Sequence, residues 1–263
     1  MYNIPKKVQD RIVSGLKRFQ PILAGAKSRD VNESDTVTII ANVLCDVFGY
    51  DKYSEITSEL AIRGTYCDLA TKVNDKFLFL IEVKAIGVEL KEAAVKQAVD
   101  YAANKGIDWV MLTNGNIWKI FKIEFGKPIN QELILELDFQ QLNPKSQNSL
   151  NLSFLLSKEG WLKNHINELA EQKQIINKYF ISALLQSNNV LECLRKEFRK
   201  LSPEIKIEAE GIKLMLLDEV LKREVVEGEK IDDAKKKLAK LYAKAQKEKA
   251  KMVQQVGNKI IEQ

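Results

Sequence analysis

The sequence predicts an α/β fold, a mixed β-sheet flanked by helices, followed by an all-helical C-terminal region. Three observations predict it. Short apolar segments of strand-like composition cluster between residues 55 and 137. One helical pattern, at 90–104, interrupts them and crosses from the third strand to the fourth. After Phe139 the composition shifts, and the periodic segments that follow have helical spacing.

The elements follow in order. Residues 6–19 place Val8, Ile12, Leu16 and Phe19 on one helical stripe. After a polar stretch, 33–48 reads as a second helix, capped by Asn32 or Ser34 and ended by Gly49, with Glu33 in its first turn. Residues 55–62, 66–73 and 76–83 read as three strands, with turns at Arg63-Gly64-Thr65 and Asn74-Asp75. The helix at 90–104 has the stripe Val95, Ala98, Val99 and Ala102 and closes at Lys105-Gly106. Residues 109–112 form a compact buried-type strand, Asn114-Gly115 signals a hairpin, and 117–123 returns. Residues 133–137 add an edge strand.

These patterns divide the chain into a domain at 1–140, a linker at 141–151 rich in Asn, Gln and Ser, and a helical region at 152–263. Helices are expected at about 158–187, 189–200, 203–226 and 231–262. Their apolar faces, with Leu184, Leu191, Leu217 and Leu221, suit a bundle, a homodimer or packing onto the chain's own sheet. The last helix is dense in Lys, Ala and Glu with a thin apolar seam. A solvated or partner-stabilised helix, a basic arm touching DNA and a frayed tail all fit it.

A hydrophobic fraction of 45% supports a real core. A net charge of +5 over 263 residues permits nucleic-acid binding without arguing for it. The 3 cysteines and single histidine form no zinc-ligand spacing and fit a reducing cytoplasm. No apolar run reaches the roughly 18–20 residues of a membrane span, and Met1–Arg18 has no signal-peptide core, so a soluble cytoplasmic chain is expected.

Leu78–Ala85 carries the chemistry. Glu82 and Lys84 share one strand face, and charges in such an apolar run are costly unless paired or bound. Asp68, in the preceding strand, would approach both in an antiparallel pairing. An acid-x-Lys triplet alone is commonly a solvated strand face. Here Leu78 and Leu80 are expected on the face of Glu82, and Cys67, Leu69 and Ala70 surround Asp68. Two carboxylates and a lysine on one sheet face suit a divalent metal with a water activated beside it, which is nuclease chemistry. Gln97 and Tyr101, four apart, share a helix side and carry hydrogen-bonding tips. Trp109 and Trp118 belong to the core near the hairpin, and His165 to surface or packing.

Glu33, Asp68, Glu82-Val83-Lys84 and the Gln-x-x-x-Tyr of Gln97 and Tyr101, in that order, resemble the PD-(D/E)xK nuclease superfamily. More narrowly, residues 30–125 resemble the N-terminal nuclease domain of type I restriction enzyme R subunits. Asn-Glu-Ser-Asp-Thr, Phe-Gly-Tyr-Asp, Leu-Ile-Glu-Val-Lys and Leu-Thr-Asn-Gly-Asn-Ile-Trp carry that likeness. Cys67 stands where the family often has proline, and the chain has no phosphate-cradling Gly-x-x-x-x-Gly-Lys loop, so no ATP motor of its own is expected. The resemblance implies a restriction-endonuclease-like sheet and a DNA endonuclease acting in restriction or defence. It implies Mg²⁺, replaceable by Mn²⁺, held by Asp68, Glu82, the Val83 carbonyl and Glu33. Lys84 would orient or deprotonate the attacking water or stabilise charge, and Gln97 and Tyr101 would position the scissile phosphate or brace the carboxylates. Arg63 and Lys72 are weaker candidates for contacting DNA phosphates. The partners implied are double-stranded DNA and a motor or specificity subunit. The alternative is a catalytically silent DNA-binding or assembly protein that uses the same fold.

Overall fold

A computed structural model describes residues 2–62, 65–126 and 128–261, apart from the side chains of 59–62, 65–66, Glu92, Gln97 and 248–261. The chain divides into two compact units, Met1–Ala170 and Glu171–Gln263.

In the first unit, α1 (Lys6–Ser28) buries Val8, Ile12, Leu16 and Phe19 as expected, then continues through Pro21 to bury Leu23 and Ala26. Burial of that extra turn offsets the hydrogen bond a mid-helix proline forfeits. Helix α2 (Glu33–Asp46) starts at Asn32, whose side chain accepts from the Asp35 N–H at 2.9 Å. Strands β1 (Ile56–Ile62), β2 (Thr65–Val73) and β3 (Lys76–Val83) form an antiparallel meander. The β2–β3 turn holds Asn74 and Asp75 both at positive φ, which these two residue types tolerate. Helix α3 (Glu92–Lys105) ends on the left-handed Gly106 and leads into β4 (Trp109–Thr113), parallel to β3. Strands β5 (Ile117–Glu124) and β6 (Asn130–Asp138) complete a six-stranded sheet in sequential order, with β3–β4 its parallel pair. The mixed sheet flanked by helices is the expected architecture.

Each face has its own core. Ile12, Leu16, Ile40 and Leu44 of the first two helices pack with Phe79, Ile81, Val83 and Trp118. On the other face Val95, Ala98 and Ala102 of α3 pack with Leu80, Val110 and Leu112. Leu80 therefore shares the face of Glu82 as expected, but Leu78 packs against the first core. The cause is a bulge: Thr71 pairs with Phe79 and Lys72 with Phe77, leaving Leu78 as an extra residue that breaks the alternation.

The first unit does not stop at 140. Within the expected linker, α4 (Gln147–Leu156) begins, followed by α5 (Lys158–Leu162) and α6 (His165–Ile175). Leu150, Phe154, Leu156 and Trp161 are buried in the first core. The Trp161 ring lies 4.7 Å from Phe79 and 5.4 Å from Trp109, centroid to centroid. Arg11 forks onto both carboxylate oxygens of Glu159 at 2.8 and 2.6 Å, fastening α5 to α1. Asn and Ser are cap residues as well as linker residues, and Ser157, beyond the expected linker, caps α5. His165 is a packing residue, its ring against Tyr2.

In the second unit, α7 (Lys178–Leu185) packs with α10 (Glu229–Ile261) through Phe180, Ala183, Ile231, Ala234 and Leu238. Helices α8 (Asn188–Leu201) and α9 (Ala209–Met215) lie between them in sequence. The expected helix 158–187 is broken at Asn164, which adopts a positive φ, and again at Asn177, which caps α7. No described helix is long and apolar enough to cross a membrane.

Candidate active site

The site forms where β3 leaves the sheet. Strand β3 lies inside the six-stranded sheet with a helical core on each face, and Glu82 is only 3% exposed. Its Oε1 accepts a 2.7 Å ion pair from Lys84 Nζ, the next residue on the same side. The Lys84 N–H donates to the Thr113 carbonyl of β4 at 2.9 Å, so the backbone stays registered one step past the strand. Leu69 of β2 pairs with Ile81, and Asp68 beside it reaches across: its Oδ2 accepts from the Val83 N–H at 2.7 Å. Glu33, at the first turn of α2, brings Oε2 to 3.6 Å from Lys84 Nζ. Asp68, Glu82, Val83, Lys84 and Glu33 are thus gathered from two strands and a helix.

Three carboxylates face one ammonium, and the site is partly dehydrated. Burial pushes the Asp68 carboxyl above the ordinary range, against the opposing pull of the Val83 N–H and Lys84. Burial also raises Glu82, helped by the charge of Asp68 and opposed by Lys84. For Lys84, burial acts downward, but the Glu82 hydrogen bond and the charges of Glu82, Glu33 and Asp68 outweigh it and raise its pKa. Lys84 is therefore a cation, not a free amine, in this arrangement.

Among the described residues no group of three or more His, Cys, Asp or Glu side chains is gathered tightly enough to hold a metal ion by itself. The donors do fit a hard divalent cation that keeps several waters, because they are carboxylate and carbonyl oxygens. One observation supports the fit: Glu82 Oε2 is buried without a hydrogen-bond partner. A buried lone carboxylate oxygen is costly and is relieved by a cation.

The remaining expected residues divide. Lys72 pairs with Asp75 at 2.8 Å at the turn end of the β2–β3 hairpin, four residues along from Asp68, or about 13 Å of strand, and does not join the site. Tyr101 lies on α3, partly buried against the second core. Gln97 lies on the same helix, but its side chain is outside the described residues, and Arg63 is outside them altogether. Sequence reasoning missed Asn114. Its Oδ1 accepts from the Asn116 and Ile117 N–H groups at 3.1 and 2.8 Å, and its Nδ2 donates to the Val88 carbonyl at 2.9 Å. It thereby ties the hairpin to the loop that follows Lys84. The signal was the Asn-Gly pair, which by itself reads only as a turn.

Residues 35–136 match the family described as type I restriction enzyme R protein N terminus. Among curated proteins, nothing matches the chain. Among solved structures, the chain is similar to that reported as the type IIG restriction endonuclease BpuSI, at 18% identity and a TM-score of 0.31. That match covers 61% of this chain, which spans only 20% of the other. Over residues 35–136, then, the chain resembles the N terminus of type I restriction enzyme R proteins, a restriction-nuclease-like domain.

Proposed function

We propose that the protein is a Mg²⁺-dependent endonuclease that hydrolyses DNA phosphodiester bonds in a restriction system, with Mn²⁺ able to replace Mg²⁺. The observation that carries this reading is the convergence of Asp68, Glu82 and Lys84 at the exit of adjoining strands, with Glu33 closing the side toward α2. The match of residues 35–136 to a restriction-enzyme family supports it. Asp68, Glu82, the Val83 carbonyl and Glu33 are the groups that would hold the ion. When bound, the ion would polarise a phosphate oxygen and lower the pKa of a coordinated water.

The chain's own residues do the rest. The Val83 N–H holds Asp68 in one orientation, so the carboxylate needs little reorganisation on binding. Lys84, kept cationic by its neighbours, donates toward the phosphate and offsets charge that develops on its oxygens. Glu33, 3.6 Å away, gives the ammonium a second partner when Glu82 turns to a ligand. Tyr101 and Gln97 lie on the helix that covers Glu82's face and brace the substrate or the carboxylates. DNA is delivered with the help of a motor or specificity subunit, as in the R-protein family that residues 35–136 match.

The test is cleavage of linear, circular, methylated and single-stranded DNA with Mg²⁺ or Mn²⁺ against a chelator control. Asp68→Ala and Lys84→Ala are expected to lower the rate at least about 100-fold, the scale of losing a preorganised electrostatic group. Circular dichroism should be unchanged. Either variant cutting at the wild-type rate refutes the assignment.

A further inference from the structure

The face of the sheet that carries Glu82 is only partly covered. Helix α3 packs over β3 and β4. Beside it, β5 and β6 present Lys119 and Phe121 on the same face, with Leu133 paired to Phe121. Between the helix and these strands lies a cleft of about 320 Å³ lined by Leu90, Val95, Lys119, Phe121, Gln131 and Leu133. Leu90 and Val95 line it from one side and Phe121 and Leu133 from the other, and Leu133 is 38% exposed. Two polar residues line it, Lys119 and Gln131.

The register places this cleft in line with the carboxylates. Glu82 pairs with Leu112, and Leu112 pairs with Lys119. Residues paired in this way share a face, so Lys119 stands two strands from Glu82, about 10 Å across the sheet. Gln131 pairs with Ile123, four residues further along β5 than Lys119, so the two polar groups bracket about 13 Å of the apolar floor. The partner of Lys119 is Glu136, at a loose 3.7 Å and half exposed, which a phosphate can displace.

From this placement we infer that the cleft between α3 and the β5–β6 hairpin binds an unpaired nucleotide flanking the scissile phosphate, an inference that rests on the nuclease reading. Lys119 contacts its phosphate, Phe121 and Leu133 receive the face of its base, and Gln131 hydrogen-bonds the base edge. An apolar slot with a hydrogen-bonding end suits a base out of its stack better than a paired duplex. The substrate is then DNA that is single-stranded, or opened, next to the cut.

The test is fluorescence anisotropy with a labelled single-stranded oligonucleotide and the matching duplex, using the full chain in chelator. The variants are Lys119→Gln, Lys119→Arg and Leu133→Glu. Both partly exposed positions tolerate such changes, and circular dichroism checks the fold. Lys119→Gln and Leu133→Glu are expected to weaken single-strand binding at least 10-fold, whereas Lys119→Arg binds like the wild type. Equal binding by every variant, absence of single-strand binding by the wild type, or preference for the duplex overturns the inference. The outcomes separate the two readings. Binding that depends on Lys119 in a chain that cuts no DNA refutes the nuclease and keeps the cleft. Cleavage lost in Asp68→Ala with binding indifferent to Lys119 does the reverse.

Discussion

Glu82 is the one acidic side chain among the buried polar groups of the described residues. Its position explains both the cost of the site and its use. Asp68 and Glu82 have carboxyls raised above the ordinary range, chiefly by burial, so the fold favours their protonated forms. Their contribution to stability is full below the unfolded carboxylate pKa, near 4, and is lost as pH rises through the higher folded values. Other carboxylates act oppositely. Glu159, although burial works against it, is held below the ordinary range by Arg11. The expected outcome is therefore a difference: in chelator, from pH 4 to 8, Asp68→Asn gains melting temperature relative to the wild type as pH rises. Parallel melting curves across that range would show that burial does not raise the Asp68 carboxyl.

At the scale of the element, α2 presents Glu33 to the site through its first turn, and that turn depends on its cap. Asn32 accepts from the Asp35 N–H, so Asn32→Ala should cost about 1 kcal/mol. In a unit of this size, that lowers the melting temperature by about 2–4 °C. Cleavage should fall as well, because Glu33 loses its anchored approach to Lys84, and Asn32→Asp should restore both. Unchanged melting in Asn32→Ala would show that tertiary packing alone holds the turn. The spacing of Asn32, Ser34 and the apolar stripe left two caps open, and the geometry selected Asn32. The bulge at Leu78 shows the opposite limit. A period of two reads the strand correctly only while pairing is regular, and no residue type at 78 announces an insertion.

At the scale of the molecule, α4 and α5 belong to the first unit. A chain ending at residue 145 exposes partners of Leu150, Phe154, Leu156 and Trp161. Each such burial is worth roughly 1.5–3 kcal/mol, so the four together approach the whole stability of a typical domain. A chain ending at residue 170 is expected to melt cooperatively, and one ending at 145 to bind a hydrophobic dye and show no cooperative transition. A sharp melt of the shorter chain would restore the boundary near 140.

The sequence by itself determined the succession of strands along the chain, the crossover helix and the three-residue signature at β3, because periodicity, turn residues and a charge pair in an apolar run are local properties. It pointed to Asp68 as an acid in an apolar strand paired with β3, and to Glu33 as a site residue only through likeness to a family. The tertiary structure decided that Asp68 reaches the Val83 N–H, that Glu33 faces Lys84, that Lys72 lies off the site, and that 141–151 is not a linker. Those outcomes depend on which distant segments meet, and burial against a partner far along the chain leaves no mark in the spacing of the residues themselves.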